Sequence, residues 1–298
     1  MGQLDLESLW CLQTPAVERL ERTGGLARMA ITTDATGRAH YQLRVGEHVE
    51  PLNVWLGHDI TLRFDGRIVC IHCQQTTRKS FGQGHCYRCF KRLARCDTCM
   101  MAPERCHYFQ GTCREPEWGE RHCFAPHVVY LASSSGAKVG ITKPSQMPTR
   151  WLDQGAVQAL PILSVASRRQ SGMVEALFRN EISDRTHWQR MLKGDTADVD
   201  LINLRDDLMT RLAPGLASLQ AQFGEENIRP HPEQAVARFD YPVLAWPERV
   251  RSFNLERTAQ VEGRLMGLKG QYLMLDTGVI NLRKYTGYQV SVTLSARS

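Results

Sequence analysis

Stretches that alternate apolar and polar residues dominate the N-terminal part of the chain: LARMAITT, AHYQLRV and DITLRF, separated by Gly, Asp and Asn. A period of two sends every second side chain to one face, so residues 1–69 read as a small antiparallel β unit after a short helical start. Further on the pattern changes. Short apolar runs at 128–131 and 138–141, split by a Ser/Gly turn at 133–136, have the composition of a β-hairpin. Helix, strand, helix and helix patterns follow at 147–154, 157–165, 169–182 and 201–223. The last places Leu201, Leu204, Leu208, Leu212, Leu216 and Leu219 at helical spacing, which predicts a packing face. After IRPHPEQ the strand pattern returns in AQVEGRLMGL, QYLMLDTGVINL and YQVSVTL, broken by Gly turns. The expected fold is α+β, in four segments: a β-rich unit at 1–69, a cysteine-rich module at 70–124, an α/β domain at 125–224 and a second β-rich unit at 225–298.

At 298 residues and 42% hydrophobic, the chain can bury real cores, and no stretch approaches the length of a membrane span. The start, MGQLDLESLW, has neither a basic leader nor an apolar signal core, so a cytoplasmic location is expected. The net charge of +6 is local in origin. Between 66 and 110, Arg67, Arg78, Lys79, Arg88, Lys91, Arg92, Arg95 and Arg105 face only Asp97 and Glu104. Such a block attracts polyanions by counterion release, and nucleic acid is the polyanion at hand; a solvated basic face is the plainer alternative.

Nine of the ten cysteines fall between 70 and 123, with Cys11 apart. Cys70-x2-Cys73-x12-Cys86-x2-Cys89 is a pair of CxxC knuckles whose separation lets four thiolates converge on one tetrahedral ion, the pattern of a zinc ribbon. Cys96, Cys99, Cys106, Cys113 and Cys123, with His107 and His122 beside them, exceed one tetrahedral shell. A second zinc on four of them is the first expectation and an iron–sulfur cluster the alternative. Arg78, Lys79, Arg88, Lys91 and Arg92 stand near Phe81, Tyr87 and Phe90, a mixture suited to nucleic-acid contact, although the rings can equally pack a small metal-held core.

The hairpin and the loop after it, VVYLASSSGAKVGITKPSQMPTRW, resemble the core of the GIY-YIG endonucleases, whose β-β-α-β-α order matches the middle of the chain. In that resemblance Tyr130 of VVY takes the place of the first motif tyrosine. KVG at 138–140 keeps the glycine of the second motif, Gly140, but puts Lys138 where the family has a tyrosine. Arg150 stands for the phosphate-contacting arginine, and Glu175 for the glutamate that holds a single Mg2+ or Mn2+ ion. The resemblance implies that Tyr130 or Lys138 deprotonates water while Arg150 balances charge; Lys138, as a plain cation, would instead bind phosphate. Each residue also has a structural alternative: Tyr130 in a strand core, Lys138 as a solvated edge charge, Arg150 paired with Asp153, and Glu175 with Arg168 or Arg169.

Over most of its length the chain further resembles an uncharacterised bacterial zinc-containing family, the domain of unknown function 2797. KSFGQGHCYRCF, PERCHYFQGTCREPEWGERHC, KVGITKPSQMPTRWLDQGA and GLKGQYLMLDTGVINLRKYTGY carry that likeness. The expected function is binding of structured DNA or RNA, with Gln154 as a further contact, and metal-dependent cleavage at the centre. The rivals are a non-catalytic RNA- or ribosome-associated module and a metal-held protein adaptor; no membrane and no small-molecule cofactor are implied.

Overall fold

The computed structural model describes residues 15–196, 198–231 and 233–297; the expected helical start and Cys11 lie outside them. The architecture is mixed α and β, divided into two compact units. Of the described residues, one contains those up to Phe90, Leu192–Gly194 and those from Phe239 on; the other contains those of 91–191 and 195–238.

In the first unit the N-terminal and C-terminal β segments share one antiparallel sheet. Arg19–Gly25 pairs with Tyr288–Ser295, which pairs with Asp59–Val69; Gln260–Lys269, Tyr272–Leu275 and Gly278–Asn281 complete the path. Ala30–Thr33, Ala39–Val45 and His48–Pro51 form a smaller sheet. The alternation read from AHYQLRV is realised in Ala39–Val45, where Ala39, Tyr41, Leu43 and Val45 are buried and the residues between them exposed. Tyr288–Ser295 follows the same rule, as expected of sheets with one covered face.

The second unit is built on an antiparallel sheet in the order Ile228–Pro230, Gln158–Val165, His127–Ser133, Ala137–Thr142, with Ala237–Arg238 also paired to Gln158–Val165. His127–Ser133 is central and buried at every residue, which is why its sequence is a continuous apolar run rather than an alternating one. Val129, Leu131, Val139, Leu160 and Ile162 pack with Val174 and Phe178 of the helix Arg168–Phe178.

The expected helix at 201–223 is two helices, Leu201–Arg211 and Ala213–Phe223. Pro214 explains the break: it has no N–H to donate and fits only a first turn. The leucine stripe nevertheless survives, with Leu201, Leu208, Leu212 and Leu216 in the core and Leu204 and Leu219 packed against it. The helix expected at 147–154 is shortened to Thr149–Asp153 behind Pro148. No helix among the described residues is long and apolar enough to cross a membrane.

Candidate functional site

The two CxxC knuckles are formed by local structure. Cys70 follows directly on the strand Asp59–Val69, and the chain returns at once, with the Cys70 amide donating to the Gln75 carbonyl and Thr76–Thr77 pairing back onto the strand. The second knuckle runs into the helix Tyr87–Arg92, which carries Cys89. Cys70, Cys73, Cys86 and Cys89 bring their sulfurs within 4.8 Å of one another. Cys73 and Cys86 lie 3.8 Å apart, the edge length of a tetrahedron with Zn–S bonds of about 2.3 Å.

Burial works against a Cys70 thiolate, but amides of Cys73, Cys86 and His72 bring its pKa down to about 6. Cys89 is pushed up to about 12 by burial and by the neighbouring thiols. Four ionised thiolates are stable here only around a cation, and these residues could hold a metal ion such as zinc.

In the second unit, Tyr130 lies opposite Gly140 and Ala132 opposite Lys138. Alternation therefore sends Tyr130 and Lys138 out of one face of the sheet and Val129, Leu131 and Val139 into the helical core on the other. A Cβ on Gly140 would stand 2.6 Å from the Tyr130 hydroxyl, so glycine is what lets the ring cross the neighbouring strand. The hydroxyl donates to Gln154 Oε1 at 3.2 Å, and Trp151 meets the ring edge-on with centroids 5.8 Å apart. Both partners come from the short helix that carries Arg150 and its C-terminal cap.

Lys138 is no solvated edge charge. It is 3% exposed, and its Nζ donates to Thr186 Oγ1 at 2.6 Å. Burial, then the Arg150 guanidinium, holds its pKa down to about 7, against the pull of Asp184 and Glu175. Glu175 is pushed up to about 7 by burial, which outweighs the Arg179 guanidinium; Asp184 and Glu104 push in the same direction as burial. Tyr130 is raised by burial despite the counteracting Arg150 charge, and it too feels Glu175. The structure thus brings Tyr130, Lys138, Arg150 and Glu175 within electrostatic reach of one another. Tyr130 and Lys138 are buried, while Arg150 and Glu175 are partly exposed.

A family model described as a protein of unknown function, DUF2797, matches residues 57–290, a span that takes in both the four-cysteine site and this ionisable cluster. The chain belongs to the DUF2797 family. No curated protein and no solved structure matches it.

This DUF2797 chain surrounds Glu175 with groups outside the expected set. Arg179, one helical turn beyond it, bridges Glu104 at 2.9 Å and Asp184 at 3.5 Å. Arg179, rather than Arg168 or Arg169, is the leading cation acting on Glu175; its i+4 spacing was the available signal. Thr186, the partner of Lys138, had no local signal. The second cysteine group lies in short turns and the helix Pro116–Cys123. There the donor atoms of Asp97, Cys99 and His107 gather within 4.8 Å. Burial, then the charges of Asp97, Cys106, Cys123 and Cys113, pushes the Cys99 thiol up to about 11.

Of the residues expected to contact nucleic acid, Arg78, Lys79, Arg88, Lys91 and Arg92 are exposed, the last three on the helix Tyr87–Arg92. Lys79 Nζ lies 5.7 Å from the centre of the Phe81 ring. Phe81 itself packs on Tyr87 and Phe90. Gln154 uses its side-chain oxygen to hold Tyr130.

Proposed function

We propose that this protein binds nucleic acid through its basic, zinc-held ribbon and cleaves phosphodiesters at a GIY-YIG-like centre. The observation that carries this reading is the gathering of Tyr130, Lys138, Arg150 and Glu175, drawn from two strands and two helices, into one electrostatic cluster in which Lys138 and Glu175 are both poised near pH 7. Groups tuned in opposite directions to the same pH are what proton transfer to and from a reacting centre requires.

In this reading Arg150 grips the phosphate with its planar guanidinium. Lys138, whose pKa burial brings down to about 7, takes the proton of the attacking water. Tyr130 stays protonated because burial raises its pKa, so it orients the centre instead of serving as the base. A divalent ion on Glu175 would polarise the phosphate and stabilise the leaving oxygen. Structured DNA or RNA is the proposed substrate class. The complete burial of Tyr130, 0% exposed, favours a second reading in which the same centre grips phosphate without cutting.

The test is to incubate the protein with labelled branched DNA, single strands and tRNA, with and without Mg2+ or Mn2+, beside Glu175→Ala. Metal-dependent cutting that falls on the order of 100-fold or more in the variant supports the nuclease. Binding that weakens steeply with salt, without cutting, supports the second reading. Absence of salt-sensitive binding overturns both.

A further inference from the structure

The second cysteine group differs from the first in shape. Cys99, Cys106, Cys113 and Cys123 all line one small cavity of about 20 Å3, closed on its other sides by Tyr108 and Trp118 among others. Three of the four, Cys99, Cys106 and Cys123, also line a larger cleft of about 360 Å3 beside it. Cys96 lies outside the lining of both. Among the described residues these four sulfurs form no set as close as Cys70, Cys73, Cys86 and Cys89. A single tetrahedral ion needs sulfurs about 3.8 Å apart. A polynuclear cluster needs them further apart, because several metal ions and bridging sulfides stand between them.

Most of the other potential donor atoms nearby hold hydrogen-bond or ion-pair partners. The Asp97 carboxylate accepts from the Thr98 amide at 2.6 Å and from Arg114 Nε at 2.8 Å, and lies 3.4 Å from His107 Nε2. The other ring nitrogen of His107 is 2.8 Å from Thr112 Oγ1, and His122 Nδ1 is 2.9 Å from the Trp118 carbonyl. Cys99, Cys106, Cys113 and Cys123 are the donors that line the cavity without one of these hydrogen bonds.

The same cleft has lining residues suited to a negatively charged occupant. The first turn of the helix Arg168–Phe178 contributes Ser167, Arg168, Arg169 and Gln170 to that lining. The Nε atoms of Arg168 and Arg169 are buried without a hydrogen-bond partner, while Arg168 Nη2 donates to the Met100 carbonyl at 2.7 Å and Arg169 lies over the Phe109 ring. Both guanidinium groups bring positive charge to the cleft, and the Arg168 charge acts directly on Cys123, so sulfide and thiolate are the kind of occupant it suits. The helix N-terminus adds positive partial charge on the same side.

We propose that Cys99, Cys106, Cys113 and Cys123 ligate a [4Fe–4S] cluster that docks against the first turn of the helix carrying Glu175. Four thiolates on an oxidised cubane leave a net charge of about −2, which Arg168, Arg169 and the helix terminus offset. The cluster fastens Arg168–Phe178 to the cysteine-rich segment. Gly172 of that helix already lies so close to Pro103 and Glu104 that a Cβ would stand 2.5 Å from the Glu104 nitrogen.

The test uses the full chain, purified without oxygen and then reconstituted with ferrous iron, sulfide and thiol. The expected result is a brown protein holding about four iron and four acid-labile sulfide per chain. Cys106→Ser and Cys113→Ser should each lose most of the iron and colour. Cys73→Ser should keep both while losing zinc. Two zinc per chain with no iron or sulfide after reconstitution overturns the proposal, and so does a chromophore that survives in both Cys106→Ser and Cys113→Ser. The iron and sulfide contents of the unsubstituted chain decide the matter even if a variant fails to fold, and neither result bears on whether the centre around Glu175 cuts nucleic acid.

Discussion

The Cys70–Cys73–Cys86–Cys89 ribbon and the centre around Tyr130 both crowd ionisable groups together, but they settle their charge differently. The ribbon gathers groups of one sign, four thiols within 4.8 Å, and becomes stable as thiolates only around an added cation. The centre supplies its own cations: Lys138 and Arg150 stand among Glu175 and Tyr130, and burial pushes the lysine and the glutamate toward neutrality. The first place could hold a metal ion to balance its thiolates, whereas the second balances charge with its own side chains.

The largest way to break this contrast is to remove the ribbon's capacity to hold an ion. Cys73→Ser together with Cys86→Ser, or a strong chelator, should abolish zinc binding and forfeit folding free energy on the order of 10 kcal/mol locally. Elemental analysis and limited proteolysis of the 70–89 segment read the outcome. A ribbon that resists protease after complete zinc loss would remove the contrast altogether.

The next effect concerns packing in the centre. Gly140→Ala would drive a methyl against the Tyr130 hydroxyl and ring and should cost about 1–3 kcal/mol in denaturant unfolding. Tyr130→Phe, which takes away the hydroxyl, should recover part of that loss in a double-mutant cycle. Strict additivity would show that the close approach is not what requires glycine at 140.

Charge gives a somewhat smaller effect with a definite sign. The folded-state pKa of Glu175 is about 7 against an ordinary 4.5, so between these values the folded chain binds more protons than the unfolded one, and stability falls as pH rises. Glu175→Gln should therefore stabilise the protein at pH 8, on the order of 2 kcal/mol, and the gain should vanish below pH 4.5. Lys138 is shifted the other way, from 10.5 to about 7. Its burial weighs most below pH 7 and is relieved as pH climbs toward 10.5, so the two groups leave opposite slopes in a pH series of thermal melts. Like-signed slopes would mean that the centre does not hold its charges as described.

Much of this protein was legible along the chain. The knuckle spacing names the ribbon's four residues because each CxxC bite is set within a single turn, and the alternation in AHYQLRV names the buried face of Ala39–Val45 residue by residue. The order hairpin, helix, strand, helix was readable from 128 to 182, whereas the single helix expected at 201–223 hid a break because the leucine spacing continues across Pro214. The surroundings of Glu175 were only partly visible: Arg179 lies one turn away and caps the same helix, while Glu104 reaches Arg179 from the cysteine-rich segment.

What the sequence determined by itself were the properties fixed by neighbours a few residues apart: thiol bite, strand faces, helix stripes and the local excess of positive charge. The tertiary structure decided which groups lose water together. Lys138 reads as a surface lysine until Thr186, 48 positions away, closes over it, and Cys99, Cys106, Cys113 and Cys123 read as a scatter until they share one cavity. Desolvation depends on everything that packs around a group, so the same lysine, glutamate and thiols acquire their chemistry only when distant segments bury them.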